Sequence, residues 1–464
     1  MLIKPFVDEK LGNSSYLLGS EETGLAAVID PQRDVDKYVQ TAEGLGLRLA
    51  YALDTHLHND FVSGARELAA QVGLRVGASA EAELAFEHLP LHDGDALALG
   101  DLTIGVLATP GHTPEHIGFT LVEPNRTEPS VVFTGGALMV GGAARTDLLG
   151  QHLAVDLARQ LYHALHAQLL KLSDAVTVYP THGAGSFCAA PTSSERITTI
   201  GRERKSNALL LADSEDTFVE MALAGLPSYP VYYQHIRPIN RSGPKILGGL
   251  PVLKPLSPAE VQQWIEQGGA VLDVRPARRL AEGYIPGAYT IAHDAPLVTW
   301  AGWLIPFGAP LVLVAADAAN REDAIRQLIR IGYDDLRGYL DGGLPAWEAA
   351  GLPVTRMQKI SVAELRARIG DGDAPIVIDV RQDAEWQAGH IPGALHIENG
   401  RLPYDDLPLP IDRPIYLHCR VRDRSTAALS VLARRGYRDL TLVDGGFKAW
   451  KEAGYEIESG SGNE

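Results

Sequence analysis

Two groups of residues in this 464-residue chain have the types and the spacing to do chemistry. The first is built from histidines. "THLHNDF" places His56, His58 and Asp60 at alternating positions, so an extended segment turns all of them to one side. "TPGHTPEH" adds His112 and "VYPTHGAGS" adds His182. A single histidine is more often a hydrogen-bonded structural residue than a ligand. Several of them, each following an apolar strand and standing beside turn glycines, point to a metal site. Imidazole suits zinc and iron alike, so ligand type does not choose between them. His116 and His152 are each read as a supporting or a helix-surface residue.

The second group centres on Cys419, which opens "CRVRDRS". Arg420, Arg422 and Arg424 follow within five residues, which argues against a merely buried thiol. A thiolate that must persist near neutral pH and carry an outer sulfur needs backbone N–H groups and cations aimed at one point. A helix starting near Ser425 would add its N-terminal dipole. The other cysteine, Cys188, lies close in sequence to His182; it is read either as a relay thiol or as buried packing.

These groups need elements to hold them. "SSYLLG", "SEETG" and "LAAVID" read as a hairpin from Tyr16 to Ile29 that closes on Asp30-Pro31. Short strands and amphipathic helices then alternate to about Leu170, including the helical spacing of "AVDLARQLYHALHAQLLKL". A mainly helical, proline-punctuated tail runs to about Asn240. Residues 241–258, rich in Gly, Pro and Ser, read as a linker.

Beyond it lies an internal repeat. "VLDVRPARRLAEGYIPGA" from Val271 matches "VIDVRQDAEWQAGHIPGA" from Val377, and "YLDGGLPAWEAAGLPV" from Tyr339 matches "LVDGGFKAWKEAGYEI" from Leu442. Each copy alternates strand and helix, which predicts a parallel sheet with helices on both faces. Ligands sit beyond the carboxyl ends of such strands, the place Cys419 occupies after "IYLHC". The expected division is 1–240, the linker 241–258, 259–357 and 358–464.

The "CRVRDRS" loop resembles the active-site loop of rhodanese and related sulfurtransferases. That resemblance implies a catalytic set of Cys419, Arg420 and Arg424, with Arg422 binding substrate where the family commonly has glycine. Asp379, Arg381, Glu385 and His390 match the domain's framework and are expected to be structural. At the corresponding place the first copy has "LVLVAADAANRED", with Ala315 in the thiol's position, so it is expected to pack, orient or dock rather than carry a persulfide.

Residues from about Leu2 to Asn240 resemble the metallo-β-lactamase superfamily, whose fold is an αββα sandwich with metal at the sheet edge. "TPGHTPEHIGF", "AARTDLLG" and "PTHGAGSFC" look like its persulfide dioxygenase branch more than like glyoxalase II. Two departures stand out: Phe61 replaces a usual histidine, and Gly136 replaces the aspartate of the usual "TGD". The resemblance then leaves His56, His58 and His112 as the metal set, holding one ion. Asp60, Asp147 and His182 would orient water or a ligand from behind, and Arg145 would hold the anionic thiol. Restoring an aspartate at Gly136 is expected to tighten metal binding.

The expected architecture is therefore α/β and multidomain: an αββα sandwich followed by two rhodanese-like domains with parallel sheets. The expected function is a persulfide dioxygenase–sulfurtransferase using one iron(II), with zinc as the alternative ion. Its small molecules would be a persulfide of glutathione or a similar thiol, O2, sulfite and thiosulfate. The alternatives are a glyoxalase II-like zinc thioester hydrolase and a metal-free persulfide carrier. A net charge of −17 disfavours nucleic acid and anionic membrane as partners. Charge and proline near Met1 leave no room for a secretory apolar segment, and two distant cysteines fit a reducing cytoplasm. Association into a homo-oligomer is compatible with the sequence.

Overall fold

The computed structural model describes residues 1–188, 193–280, 282–370, 375–407 and 409–460. They form two compact units, one of residues 1–250 with 329–332 and the other of residues 251–328 with 333–464.

The first unit contains two six-stranded sheets. In one, the expected hairpin is present: Asn13–Ser20 pairs antiparallel with Leu25–Ile29, and Arg48–Leu53, Arg75–Ser79 and Leu89–Leu91 follow in parallel. In the other, Ala96–Leu99, Leu102–Ala108, Ile117–Val122 and Val131–Gly135 form an antiparallel meander, extended by Thr177–Pro180 and Thr198–Thr199. The last of these strands lies inside what reads from sequence as a helical tail.

Alternation along the strands decides the layers. Tyr16, Leu18, Ile29 and Leu53 meet Ile104, Phe119 and Phe133 between the sheets. The opposite residues, Leu17, Ala26, Val28 and Ala52, face Tyr38 and Leu68 of the helices Asp36–Gly44 and Ala65–Val72. Helices Gln151–Ala167 and Glu215–Leu223 cover the other sheet through Leu161, Leu165 and Phe218. Two sheets with a helical layer on each outer face make an αββα sandwich.

The second unit holds two five-stranded sheets of identical order. Pro255–Leu256, Leu336–Leu340, Leu311–Val314, Ala270–Asp273 and Tyr289–Thr290 are all parallel, as are Gln358–Ile360, Leu440–Val443, Ile415–His418, Ile376–Asp379 and Leu395–His396. The span expected as linker is narrower here, because helix Tyr233–Ser242 reaches into it and Pro255–Leu256 already belongs to a sheet.

The repeat is visible atom by atom. Arg275 binds its own Asp273 and the Gly283 carbonyl, and Arg381 binds Asp379 and the Gly389 carbonyl in the same way. Trp347 and Trp450 each fill a core and donate their indole N–H to a carbonyl at 2.8 Å, that of Pro353 and of Glu456. Among the described residues no helix is long and apolar enough to cross a membrane.

Trp450→Ala is expected to cost about 3–5 kcal/mol, the range for removing a buried aromatic side chain. Denaturant unfolding of the full chain should show the transition of the Cys419 domain moving to lower denaturant, with that of the sandwich unmoved.

Candidate metal centre and sulfur-transfer site

His56, His58 and Asp60 lie in the turn that follows strand Arg48–Leu53; His112 follows Leu102–Ala108, and His182 follows Thr177–Pro180. Three strand ends thus bring buried side chains to one edge of the sandwich. Three sets have ligand atoms within 4.8 Å of one another: His56, His112 and His182; His58, Asp60 and His182; and Asp30, Asp54 and His58. The set expected from sequence differs from the first by one member, with His182 standing in the place assigned to His58.

Hydrogen bonding explains the difference. A neutral imidazole has one N–H and one lone pair, so a partner that takes the proton of one nitrogen frees the other for metal. His112 Nδ1 donates to the Arg145 carbonyl at 2.7 Å, and its Nε2 is buried with no partner. His182 Nδ1 donates to Asn13 Oδ1 at 3.0 Å. Asn13 is fixed in that orientation because its amide donates to Asp60 Oδ2 at 2.8 Å. His56 Nδ1 donates to Thr55 Oγ1 at 2.9 Å, and Thr55 in turn donates to Asp30 Oδ2 at 2.9 Å. The Nε2 atoms of His56 and His182 then face each other at 3.3 Å, a distance at which two lone pairs call for a cation.

His58 is oriented otherwise. Its Nε2 is 3.2 Å from Asp30 Oδ1, which leaves Nδ1 without a partner, and Phe61 stacks on its ring at 4.1 Å. Phe61 therefore occupies ring-sized space beside His58.

Burial holds the pKa of His112 and His182 at about 3, and His56 well below its usual value, in the neutral form that binds metal. Burial opposes protonation of His58 too, but Asp30 outweighs it and lifts the group. Burial raises Asp60, whose Oδ1 has no hydrogen-bond partner. His116 is a supporting residue: Nδ1 donates to Thr109 Oγ1, and Nε2 accepts the Gly136 N–H at 3.0 Å.

The orienting residues were mostly invisible in sequence. Asp30 receives the N–H and hydroxyl of Thr55, the hydroxyl of Thr181 and the ring of His58. Its place after an apolar strand was its only signal. Glu115 accepts the Leu57 N–H and is held by Arg237, while Asn240 donates to the carbonyls of His58 and Phe61. Helix Tyr233–Ser242 thereby clamps the turn that carries the first histidines.

Arg145 and Asp147 form a buried bidentate pair at 2.6 and 2.7 Å. Arg145 also donates to the carbonyls of Pro227 and Phe187 and lies over the Tyr229 ring. Four of its five N–H groups are thus committed, in contrast with the expectation of an open anion clamp. Cys188 is fully buried, and burial pushes its thiol well up.

Cys419 stands at the end of strand Ile415–His418, buried, with helix Asp423–Arg434 beginning four residues later. The Cys419 and Arg420 carbonyls accept the N–H groups of Phe447 and Lys448. The close approach requires Gly446: at φ +55°, a Cβ there would meet the Cys419 oxygen at 2.3 Å. With the carbonyls turned away, the N–H groups of Arg420 to Arg424 donate to no protein acceptor among the described residues. They form an open cradle beside the thiol.

Arg424 is paired with both oxygens of Glu385, whereas Arg420 and Arg422 are exposed. Ser425 Oγ is 3.6 Å from Cys419 Sγ. In the first copy two N–H groups of the same loop are engaged from within: Ala316 N–H donates to Asn320 Oδ1 at 2.9 Å and Asn320 N–H to Asp317 Oδ1 at 2.8 Å.

Two outcomes are expected at the metal centre. His112→Ala and His182→Ala should each strip most of the metal and His58→Ala much less. Asn13→Ala should weaken binding by about 10–100-fold, the usual effect of losing a residue that orients a ligand. Metal titration of the four variants measures this. Gly136→Asp should loosen binding rather than tighten it, because its Cβ would lie 2.7 Å from His112 Cδ2 and 2.9 Å from Ala144 Cβ. A tighter apparent Kd in that variant would contradict the packing.

With this geometry in place, comparison with known proteins is informative. The metallo-beta-lactamase superfamily model matches residues 9–182, and the rhodanese-like domain model matches 257–350 and 361–453. The chain is similar to the mitochondrial persulfide dioxygenase ETHE1 of Homo sapiens, 31% identical over 214 residues, covering 46% of this chain and 77% of that protein. It is also similar to the hydroxyacylglutathione hydrolase GloC of Haemophilus influenzae, 31% identical over 224 residues, covering 44% of this chain and 94% of that one. Among solved structures, a metallo-beta-lactamase from Staphylococcus aureus subsp. aureus COL superposes with a TM-score of 0.66 at 28% identity, covering 73% of this chain and 98% of that one. The chain belongs to the metallo-β-lactamase superfamily, with persulfide dioxygenases among its relatives, and carries two rhodanese-like domains in tandem.

Proposed function

We propose that this chain is a persulfide dioxygenase joined to a sulfurtransferase. The observation that carries the reading is the set of His56, His112 and His182, whose ring protons are spoken for and whose remaining nitrogens converge. These three would hold one divalent ion. The set of His58, Asp60 and His182 also draws on His182, so an ion held there would compete for the same imidazole. The ion supplies an electrophilic, redox-active centre for O2 and a sulfur anion; iron(II) fits that demand, and zinc, which has no redox chemistry, does not.

In the overall reaction a persulfide, O2 and water give the thiol and sulfite with release of two protons. Asp60 Oδ1, buried and unpartnered, would take the persulfide proton. Arg145 and Asp147 act by fixing the carbonyl that orients His112 and the wall that carries Tyr229.

At the second site the Cys419 thiolate attacks the outer sulfur of thiosulfate. A new S–S bond forms, the old one breaks, and sulfite leaves with its electron pair. An acceptor thiolate or cyanide then takes the outer sulfur and returns Cys419 to the thiolate. The open N–H groups of Arg420 to Arg424 stabilise the anionic sulfur, and the exposed Arg420 and Arg422 attract anions to the mouth.

The similarity to a hydroxyacylglutathione hydrolase favours a second reading, zinc-dependent thioester cleavage, for which three imidazoles also suffice. Anaerobically purified full-length protein separates the two. One iron per chain and O2 uptake with glutathione persulfide are expected. One or two zinc ions with thioester cleavage and no O2 uptake would replace the proposal with the hydrolase, and absence of bound metal would leave only a sulfur carrier.

Cys419→Ser is expected to abolish thiosulfate:cyanide transfer while leaving O2 uptake intact. Adding Ala315→Cys to that variant should restore nothing, because two of the first copy's corresponding N–H groups, those of Ala316 and Asn320, are already taken by Asn320 and Asp317. Cyanide-dependent thiocyanate formation reads both.

A further inference from the structure

Helix Asp423–Arg434, which starts at the Cys419 loop, is held along one side by the copy that lacks a cysteine. Thr426, Ser430 and Arg434 are spaced four apart and so form a single stripe on the helix. All three meet the segment Gly287–Thr290. The Thr290 hydroxyl donates to the Thr426 carbonyl at 3.2 Å, and the Thr290 N–H donates to Ser430 Oγ at 3.1 Å. Ser430 in turn donates to the Ala427 carbonyl at 2.7 Å. Arg434 donates to the Gly287 carbonyl and lies over the Tyr289 ring at 4.4 Å.

Thr290 ends the edge strand Tyr289–Thr290 of the first copy's sheet. An edge strand has unpaired backbone groups, and here the neighbouring helix supplies a hydroxyl for one of them. Thr290, Thr426 and Ser430 are all buried. Apolar packing tolerates sliding and rotation of a helix, whereas buried hydrogen bonds specify its register.

Register matters because the first turn of this helix shapes the loop. Ser425 Oγ and Thr426 Oγ1 both donate to the Arg422 carbonyl, at 2.8 and 3.2 Å, and Ser425 Oγ also lies 3.6 Å from the Cys419 sulfur. Thr290 therefore connects, through Thr426 and the Arg422 carbonyl, to the loop that begins at the thiol.

We infer that Thr290 is a positioning residue for Cys419: the copy without a nucleophile sets the register of the helix that carries the reactive loop of the other. This rests on the reading of Cys419 as the thiol that carries sulfur.

The test uses the full chain with Thr290→Val, Thr290→Ser and Ser430→Ala. Alkylation of Cys419 by iodoacetamide is followed across pH by mass spectrometry of its peptide, with buried Cys188 as internal reference, beside thiosulfate:cyanide transfer. Thr290→Val and Ser430→Ala are expected to slow both by about five-fold, the effect of one neutral hydrogen bond, and to move the alkylation midpoint to higher pH. Thr290→Ser, which keeps the donor, should restore wild-type values.

Wild-type rates and midpoint in Thr290→Val and Ser430→Ala, with only a lowered Tm, would overturn the inference and leave Thr290 a packing residue. So would failure of Thr290→Ser to rescue. Ser430→Ala, deep in the helix and small, keeps the test open if Thr290→Val does not fold. Should Cys419→Ser retain transfer, the sulfur-carrying reading falls, while the alkylation result still judges Thr290.

Discussion

The metal centre depends on where each imidazole proton goes. Several histidines crowded at one sheet edge would otherwise satisfy one another, N–H to lone pair, and leave nothing for an ion. Here the protons are drawn outward: to the Arg145 carbonyl, to Asn13 and to Thr55. Each of these acceptors is itself held, by the Asp147 pair on the Arg145 side chain, by Asp60 and by Asp30. Carboxylates behind these acceptors thus decide which nitrogen atoms face the centre. The αββα layering serves this end, since it brings the ends of strands distant in sequence to one edge and buries them under helix Tyr233–Ser242.

The same logic, that a site is made by what its polar groups are denied, distinguishes the two rhodanese-like copies. Their sheets share one strand order and their Asp–Arg frameworks coincide. Around Cys419 the loop carbonyls are satisfied at Phe447 and Lys448 and the N–H groups stay open. In the first copy Asn320 and Asp317 take two of the corresponding N–H groups, those of Ala316 and Asn320. Loss of the cysteine is thus accompanied by capping of part of the loop, and the first copy remains a buried neighbour of helix Asp423–Arg434.

Much of this was legible in the sequence. Alternation and the internal repeat indicate the sandwich and the paired parallel sheets, because strand periodicity and strand–helix alternation are local properties. The histidines that gather at the sheet edge were recognisable by residue type and flanking glycines, and Cys419 by the arginines that follow it. The choice between His58 and His182 was not, because it turns on Asp30 and Asn13, which lie far away in sequence from the rings they orient. Spacing says that His56 and His58 share a side of the chain. It does not say that Asp30 will capture one of them. The crowding at Gly136 and the commitment of Arg145 to Asp147 are likewise packing facts that motif likeness does not carry.

X-ray absorption at the metal edge of the loaded, full-length chain tests the ligand assignment most directly. The spectrum of the wild type should require three imidazoles, and that of His58→Ala should be unchanged. Loss of one imidazole contribution in His58→Ala, with His182→Ala retaining all three, would contradict the assignment and return His58 to the metal.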